Sequence, residues 1–286
     1  GGTLTVTAPA NVTVTVSKDG KTKTKNSGTS GVVVFKGLAS GTWTVTITGD
    51  DKTAKKSVVI ITDYSTAISF STIPEFTYTG DFEIVNDSDE PISVSQDNWK
   101  IRFLTSGTLT FTNLNGAEGG IDVFLVGGGA GGNYSYRGGA GGGSGYTRTT
   151  QDITVRVGVQ YDIVIGAGGA GAKTTGGRAG GVTSAFGSSA NGGATLSDNG
   201  AYGGDGGSGG GSGTLNQDKD GAYSKAGVGG TDGANGQGTH PGTGQGTTTR
   251  EFGEPSGTLY ATGGKGAAGN NITPDPVSQN TGDGGN

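Results

Sequence analysis

The glycines of this chain are concentrated in its second part. Residues 1–115 contain 10 glycines and residues 116–286 contain 54 of the total of 64. Glycine loses more conformational entropy on folding than any other residue, so a glycine-rich segment folds only where dense backbone contacts offset that loss. The distribution therefore predicts two bodies that are built differently.

Two apolar runs in the glycine-rich part each lead into a Gly-x-Gly-x-x-Gly motif. IDVFLVGGGAGG covers residues 121–132 and YDIVIGAGGAGA covers residues 161–172. In a dinucleotide-binding fold a helix begins at this turn, and its free N–H groups bind the pyrophosphate. The residues after each motif, NYSYRGGAGG and AKTTGGRAGG, contain too much glycine for a stable helix. The motifs do not predict a nucleotide site.

Glycine runs such as GGDGGSGGGSG (203–213) suit three structures. Collagen would need glycine at every third residue and abundant proline, but the chain has only 7 prolines. A flexible linker is the simplest alternative, although apolar residues such as Ile163 and Phe186 interrupt the glycines. The third structure is a set of packed polyglycine helices that hydrogen-bond to one another, with Asp205 and Ser208 on an outer face.

The first body shows the pattern of a β-sandwich. TLTVTA (3–8) and VTVTVS (12–17) alternate apolar and polar residues and are separated by turn signals. This pattern is typical of an immunoglobulin-like module without the cysteine pair. GVVVFKGLASGTWTVTI (31–47) resembles the small β-sandwich modules of bacterial surface and phage proteins, the collagen-adhesin B repeats and PEGA domains. We assign residues 1–72 to this module and expect no Lys–Asn cross-link in it.

The second body, residues 73–286, continues with strand patterns such as DFEIVN (81–86) and GTLTFTN (107–113). No stretch of ten or more residues carries an apolar stripe with helical spacing and caps. The sequence therefore predicts an all-β chain in which helix is nearly absent.

Four segments in this body carry a family resemblance. They are FLTSGT (103–108), DVFLVGGG (122–129), YDIVIGAGG (161–169) and TSAFG (183–187). Their order resembles the glycine-rich domain that recurs in phage tail proteins and in prophages of gut bacteria. It is also similar to the glycine-rich adhesins at tail-fibre tips and, more distantly, to the glycine-rich region of the anaplastic lymphoma kinase receptor. The resemblance implies a jelly-roll-like β frame with packed polyglycine II helices inserted between strands.

The resemblance also implies a function in the virion. The expected protein is a tail- or fibre-associated adhesin that recognises the host surface without acting as an enzyme. Its expected partners are other virion proteins and a bacterial surface receptor, either a glycan or an outer protein, and a homotrimer is a common assembly in fibres. The alternatives are a purely structural decoration or head-fibre protein, a bacterial cell-surface adhesin, and an enzyme that acts on polysaccharide.

Charge and hydropathy bear on other partners. The net charge is −5 and no basic stripe is present, so nucleic acid is not an expected partner. No apolar run reaches the ~20 residues that a membrane-spanning helix needs. The sequence predicts no membrane insertion.

Few residues suit catalysis or metal binding. The chain has no cysteine and a single histidine, His240, so a zinc set or a triad built on that histidine is not expected. NQDKDGAYSKAG (216–227) follows a calcium loop at its early positions but has Gly227 where a bidentate glutamate is needed. We predict no cofactor, and calcium binding at 216–227 stays an open alternative to a solvated turn.

Aromatic residues in the glycine-rich loops are the candidates for receptor binding. Aromatic faces with adjacent polar groups provide contact area at small entropy cost, and loops on a rigid frame commonly carry function. The candidates are Tyr134, Tyr136, Arg137, Tyr202, Tyr223 and His240.

Overall fold

The structure is a computed structural model in which strands are the main secondary structure. It describes residues 1–49, 52–70, 73–92, 98–115, 117, 119–133, 139–172, 176–195, 202–211, 229, 234–235 and 249–264. Within these ranges the only helical element is one 3-10 turn at Glu251–Gly253. The predicted all-β class is confirmed for the described part of the chain.

Seven strands form two sheets in the first part of the chain. They are β1 (Gly2–Thr7), β2 (Thr13–Lys18), β3 (Lys21–Asn26), β4 (Val32–Leu38), β5 (Gly41–Gly49), β6 (Lys52–Ile60) and β7 (Ser65–Ser69). The first sheet has the order β4-β1-β7, and the second has the order β3-β2-β5-β6. β1 and β7 are parallel, whereas the other neighbours in these sheets are antiparallel.

Alternation along these strands places one face of each sheet in a shared core. Leu4 and Phe35 from the first sheet and Val16 and Trp43 from the second belong to one buried cluster. The Trp43 ring is buried, and its indole N–H donates to the Ala39 carbonyl at 2.8 Å. Burial of both inner faces supplies the main stabilising free energy of this part, at roughly 25 cal/mol per Å² of apolar surface.

Lysine side chains cover the outer edges of these two sheets. Lys23 and Lys25 of β3 donate from Nζ to the carbonyls of Lys36 (3.0 Å) and Val34 (2.7 Å) in β4, the edge strand of the other sheet. At the opposite edges, Lys56 of β6 donates to the last carbonyl of β7 at 2.8 Å. Unpaired strand edges favour aggregation, and lysine is a common means of protecting them.

Nine further strands lie in the described ranges of the second part. They are β8 (Glu75–Tyr78), β9 (Phe82–Val85), β10 (Lys100–Phe103), β11 (Gly107–Asn113), β12 (Ile121–Val126), β13 (Thr147–Ile153), β14 (Gln160–Ile163), β15 (Thr183–Ala185) and β16 (Ser188–Ala190). One sheet has the order β14-β11-β8, and the other strands form the pairs β10-β9, β12-β13 and β15-β16. All of these pairings are antiparallel.

A second core lies between the three-stranded sheet and the strand pairs. Leu109 and Phe111 of β11 are fully buried in it, and Leu125 of β12 belongs to the same buried cluster. Phe103 of β10 packs against this cluster, and its ring is tilted relative to that of Tyr78 of β8, with 4.7 Å between the ring centroids. The β9-β10 and β12-β13 pairs therefore present their inner faces to the same sheet.

The two Gly-x-Gly-x-x-Gly motifs lie side by side and hydrogen-bond to each other. The Gly169 N–H donates to the Gly129 carbonyl at 2.8 Å, and the Ala172 N–H donates to the Gly132 carbonyl at 3.2 Å. No helix follows either motif among the residues that the structure describes. The expectation that these motifs do not begin helices is confirmed there.

The other glycine segments are joined in the same way, by backbone bonds between segments that are distant in the chain. The N–H groups of Gly128, Gly131, Gly141, Gly180, Gly193 and Gly204 donate to the carbonyls of Gly181, Arg178, Gly211, Gly193, Gly128 and Gly141, respectively. We call this network of segments 127–133, 139–145, 166–172, 176–181, 191–194 and 202–211 the glycine lattice. It satisfies backbone groups that strands elsewhere satisfy by ladder pairing.

One prediction about this lattice is wrong. Ser208, which we expected on an outer face, is fully buried. Its N–H donates to the Ser144 hydroxyl at 2.6 Å, and that hydroxyl lies 3.3 Å from the Ser208 carbonyl. Ser208 does not lie on an outer face because other segments pack against 202–211 on that side.

Because backbones approach closely in the lattice, some glycines leave no room for a Cβ whereas their chain neighbours do. A Cβ on Gly169 would lie 1.8 Å from the Arg178 carbonyl oxygen, whereas a Cβ on Gly168 would lie 3.9 Å from its nearest neighbour. We expect Gly169→Ala to lower the free energy of unfolding by ~1–3 kcal/mol, because the segments that carry Gly169 and Arg178 must move apart to make room for the Cβ. Gly168→Ala is the matched control and should change it by less than ~0.5 kcal/mol. Chemical denaturation measures both, and equal effects would contradict the lattice register.

Candidate functional site

Most of the residues proposed for receptor binding lie outside the described residues. This applies to Tyr134, Tyr136, Arg137, Tyr223 and His240, and also to the whole segment 216–227 considered for calcium. Tyr202 is described and is half-buried at the start of a buried glycine segment. The structure therefore gives a position for one of the six candidates.

The described residues do define the base of the first candidate loop. Asn133 and Ala140 are both buried and exchange two backbone hydrogen bonds, from Asn133 N–H to Ala140 O at 2.7 Å and in reverse at 3.0 Å. The chain that carries Tyr134, Tyr136 and Arg137 connects these two residues. Its two ends are thus held together by the glycine lattice.

The structure also brings together a charged cluster that the sequence analysis missed. Strand alternation places Lys100 and Arg102 on the same face of β10. Lys100 Nζ lies 3.0 Å from Asp89 Oδ1 and 2.9 Å from Glu251 Oε2, and Arg102 also pairs with Asp89. The Lys100 and Glu251 side chains are only 12% and 14% exposed, so this ion pair is largely shielded from solvent.

Three aromatic rings lie next to the charged cluster. Phe124 points to the face of β12 opposite the buried Leu125 and contacts Phe252 and Tyr260, at centroid distances of 6.0 and 5.4 Å. Phe252 and Tyr260 belong to residues 249–264, a segment held as a narrow loop by the bridge between Arg250 and Leu259. We call residues 249–264 the bridging segment because it contacts both β10 and β12.

Charges in the cluster stabilise one another's ionised forms. Burial alone would raise the pKa of Asp89, but a hydrogen bond from Lys100 and the charge of Arg102 outweigh it and lower that pKa. Burial acts to lower the pKa of Lys100, whereas hydrogen bonds to Glu251 and Asp89 raise it. Burial, followed by the charge of Glu251, raises the pKa of Tyr260, so its phenol stays protonated at neutral pH.

A cleft of about 1640 Å³ lies beneath the bridging segment. Its sides include the runs 99–106 and 120–129, which contain β10 and β12. Apolar side chains such as Leu109, Phe111 and Ile163 line its inner part, and Arg102 and Glu251 line its outer part. We call this space the β10–β12 cleft.

The charged cluster is not accompanied by a metal-binding group in the part of the chain that the structure describes. Nowhere in the described ranges do three or more histidine, aspartate or glutamate side chains form a group that could hold a metal ion. The described chain also contains no helix long and apolar enough to cross a membrane. The cluster offers paired donors and acceptors beside aromatic rings.

The sequence carried only a weak signal for this site. Alternation in NWKIRF predicts that Lys100 and Arg102 share a face of a strand, but it does not identify their partner. Glu251 is 151 residues further along the chain from Lys100, in a segment without a recognisable motif. Only the folded chain brings them together.

Comparison with known proteins identifies the second part of the chain. A family model described as a glycine-rich domain matches residues 104–286, which is more than half of the chain. No curated protein and no solved structure matches this chain. The family match continues past TSAFG (183–187), the last segment that carries the sequence resemblance.

The pKa of Asp89 leads to a prediction about acid stability. Because folding lowers the pKa of the Asp89 carboxyl, its carboxylate contributes its full stabilisation at pH values above its pKa in the unfolded chain, ~3.9. This stabilisation is lost as the pH falls through the lower pKa of the folded state. We therefore expect Asp89→Asn to lower the free energy of unfolding at pH 7 and to have progressively less effect below pH ~4. Urea denaturation at several pH values measures this difference. Asp19→Asn, in an exposed turn, is the control, and a pH-independent effect of Asp89→Asn would contradict the ion-pair account.

Proposed function

The chain belongs to the glycine-rich domain family, and from that premise we propose that it is a phage virion protein, a tail- or fibre-associated adhesin that recognises a bacterial surface receptor. In this proposal the protein is located in the virion and is not an enzyme. Its partners are other virion proteins and a receptor that is a glycan or an outer protein of the bacterium. The proposal extends by analogy from the domain family and from the resemblance of its motifs.

The proposed architecture assigns a separate task to each part of the chain. Residues 1–72 form an immunoglobulin-like β-sandwich, in keeping with two sheets around one core. Residues 73–286 form a jelly-roll-like domain, and the lattice segments are polyglycine II helices packed between its strands. The first unit acts as a spacer or attachment module, and the second presents loops.

One observation carries the adhesin proposal, namely the fixed base of the first candidate loop. Asn133 and Ala140 are buried in the lattice and hydrogen-bonded to each other, so the residues between them start and end at a rigid support. A binding loop on a rigid support loses less entropy on association than a loop with mobile ends. Tyrosine and arginine, the residues that this loop carries, are enriched at the energetic centres of interfaces.

The lattice also favours a second candidate function, a structural decoration or head-fibre protein. Buried backbone bonds between many segments give a stiff body, and stiffness by itself suits a projection on a particle. The two functions differ in one respect, because only the adhesin binds a bacterial surface through its loops.

Whole-cell binding tests the adhesin proposal. We expect fluorescently labelled full-length protein to bind some strains in a panel of bacteria. We expect the combined change Tyr134→Ala, Tyr136→Ala and Arg137→Ala to weaken that binding at least about tenfold, or ~1.4 kcal/mol, because it removes the loop side chains without touching the loop base.

Tyr64→Ala is the matched control, because Tyr64 is 68% exposed and lies in the first unit. Its affinity for cells should equal that of the unchanged protein. If the folded protein binds no strain, the structural function is favoured. If the unchanged protein binds and the triple variant binds equally well, the protein is an adhesin whose receptor site does not depend on these three side chains.

A further inference from the structure

The first part of the bridging segment, residues 249–260, is a hairpin that is bonded to itself. The Glu251 N–H donates to the Thr258 carbonyl and the Tyr260 N–H donates to the Thr249 carbonyl, both at 2.9 Å. Among the described residues, no backbone hydrogen bond joins positions 250–260 to a strand. The hairpin therefore keeps its own backbone bonds when it moves away from the strands.

Side chains hold the hairpin on the strand frame. Glu251 pairs with Lys100 of β10 at 2.9 Å, and Phe252 and Tyr260 contact the Phe124 ring of β12. An ion pair and ring contacts can separate without the loss of a backbone ladder. The hairpin is thus held less firmly than the strands beneath it, and segments of this kind open first in folded proteins.

The bridging segment is anchored to the glycine lattice just beyond the hairpin. The Gly264 N–H donates to the Gly142 carbonyl at 2.9 Å, and the Gly211 N–H donates to the Gly264 carbonyl at 2.8 Å. Ala261, which lies between the hairpin and this anchor, is fully buried. The hairpin therefore has one fixed end about which it can pivot.

The closed position of the hairpin leaves a buried hydroxyl unpaired. Thr149 of β13 is the cross-strand partner of Phe124, so both side chains lie on the face that the 3-10 turn contacts. Thr149 Oγ1 is buried and makes no hydrogen bond within the described chain. A buried hydroxyl without a partner opposes the closed position, because it has lost its hydrogen bonds to water.

The backbone of the turn also opposes the closed position. Phe252 has a φ of 53°, a value that bulky residues adopt rarely and that persists only where neighbouring groups hold it. Its ring is held by the contact with Phe124, at 6.0 Å between centroids. Separation of the two rings frees this backbone to relax, so it narrows the difference in free energy between the closed and open positions.

We propose that the hairpin is a lid over the β10–β12 cleft, held closed by the Lys100–Glu251 ion pair and by the rings on Phe124. The closed hairpin forms one wall of the cleft, with lining residues from Glu251 to Tyr260. The open hairpin pivots about Gly264 with its own hydrogen bonds intact. Opening uncovers the outer face of β12 and β13 and widens the entrance to the cleft.

This inference goes beyond the proposed adhesin function. The lid and the cleft use residues other than those of loop 134–139, and opening is an equilibrium within one chain that needs no receptor. The two proposals can fail separately.

Thiol labelling tests the lid on the full chain, which has no cysteine of its own. Thr149→Cys places a single thiol under the hairpin, so its rate of labelling by dithionitrobenzoate follows the open fraction. We expect Glu251→Gln to speed this labelling at least about tenfold, because it removes the charge that pairs with Lys100. Glu254→Gln, which neutralises an exposed carboxylate of the same hairpin, is the matched control and should change the rate less than about twofold.

A second thiol distinguishes lid opening from unfolding of the frame. Val155 is buried in the second core, and Val155→Cys should stay slow to label when Glu251→Gln is added. Equal acceleration of the two thiols would mean that the frame unfolds with the hairpin, and the lid would be overturned. It is equally overturned if neither Glu251→Gln nor Phe252→Ala speeds the labelling of Thr149→Cys.

Dye binding measures access to the cleft in the chain without added cysteines. Anilinonaphthalene sulfonate fluoresces when it binds exposed apolar surface, and we expect at least about threefold more fluorescence with Glu251→Gln than with Glu254→Gln. Faster thiol labelling without this increase would show that the hairpin moves but does not open the cleft. That result would overturn its assignment as a lid.

Discussion

Hydrogen bonding between backbones of glycine segments is the interaction on which the second part of this protein depends. Glycine segments have no side chains to bury, and ordering them is entropically costly. The structure offsets this cost by bringing segments so close that carbonyl oxygens occupy the space of a Cβ. At Gly145, for example, a Cβ would lie 1.8 Å from the Gly127 carbonyl oxygen. The lattice therefore requires glycine at many positions for reasons of space, and none of the glycines in its described segments has a positive φ.

The lattice also determines where side chains with chemistry can lie. Its interior admits only small residues, such as Ala130, Ala140 and Ser144. Most of the larger polar and aromatic residues of the described chain lie in the strand frame beside it. The charged cluster belongs to the frame, where Lys100 connects β10 to the bridging segment through Glu251.

Side chains cover the strand edges in the first part of the chain. The first unit covers its edges with lysine ammonium groups, which prevents unwanted pairing at little structural cost. In the second part, the bridging segment contacts the outer faces of β10 and β12 through Glu251 and Tyr260.

The sequence by itself determined the all-β class and the concentration of glycine in the second part of the chain. Alternation in TLTVTA and VTVTVS predicts strands with buried Leu4 and Val14, and glycine after each apolar run rules out the helix that a nucleotide site needs. Both are local effects, so local sequence is enough to predict them. The burial of Ser208 and the pairing of Lys100 with Glu251 were decided by the tertiary structure alone. Each depends on which distant segments become neighbours, and identical glycine runs carry no side-chain pattern that specifies their neighbours.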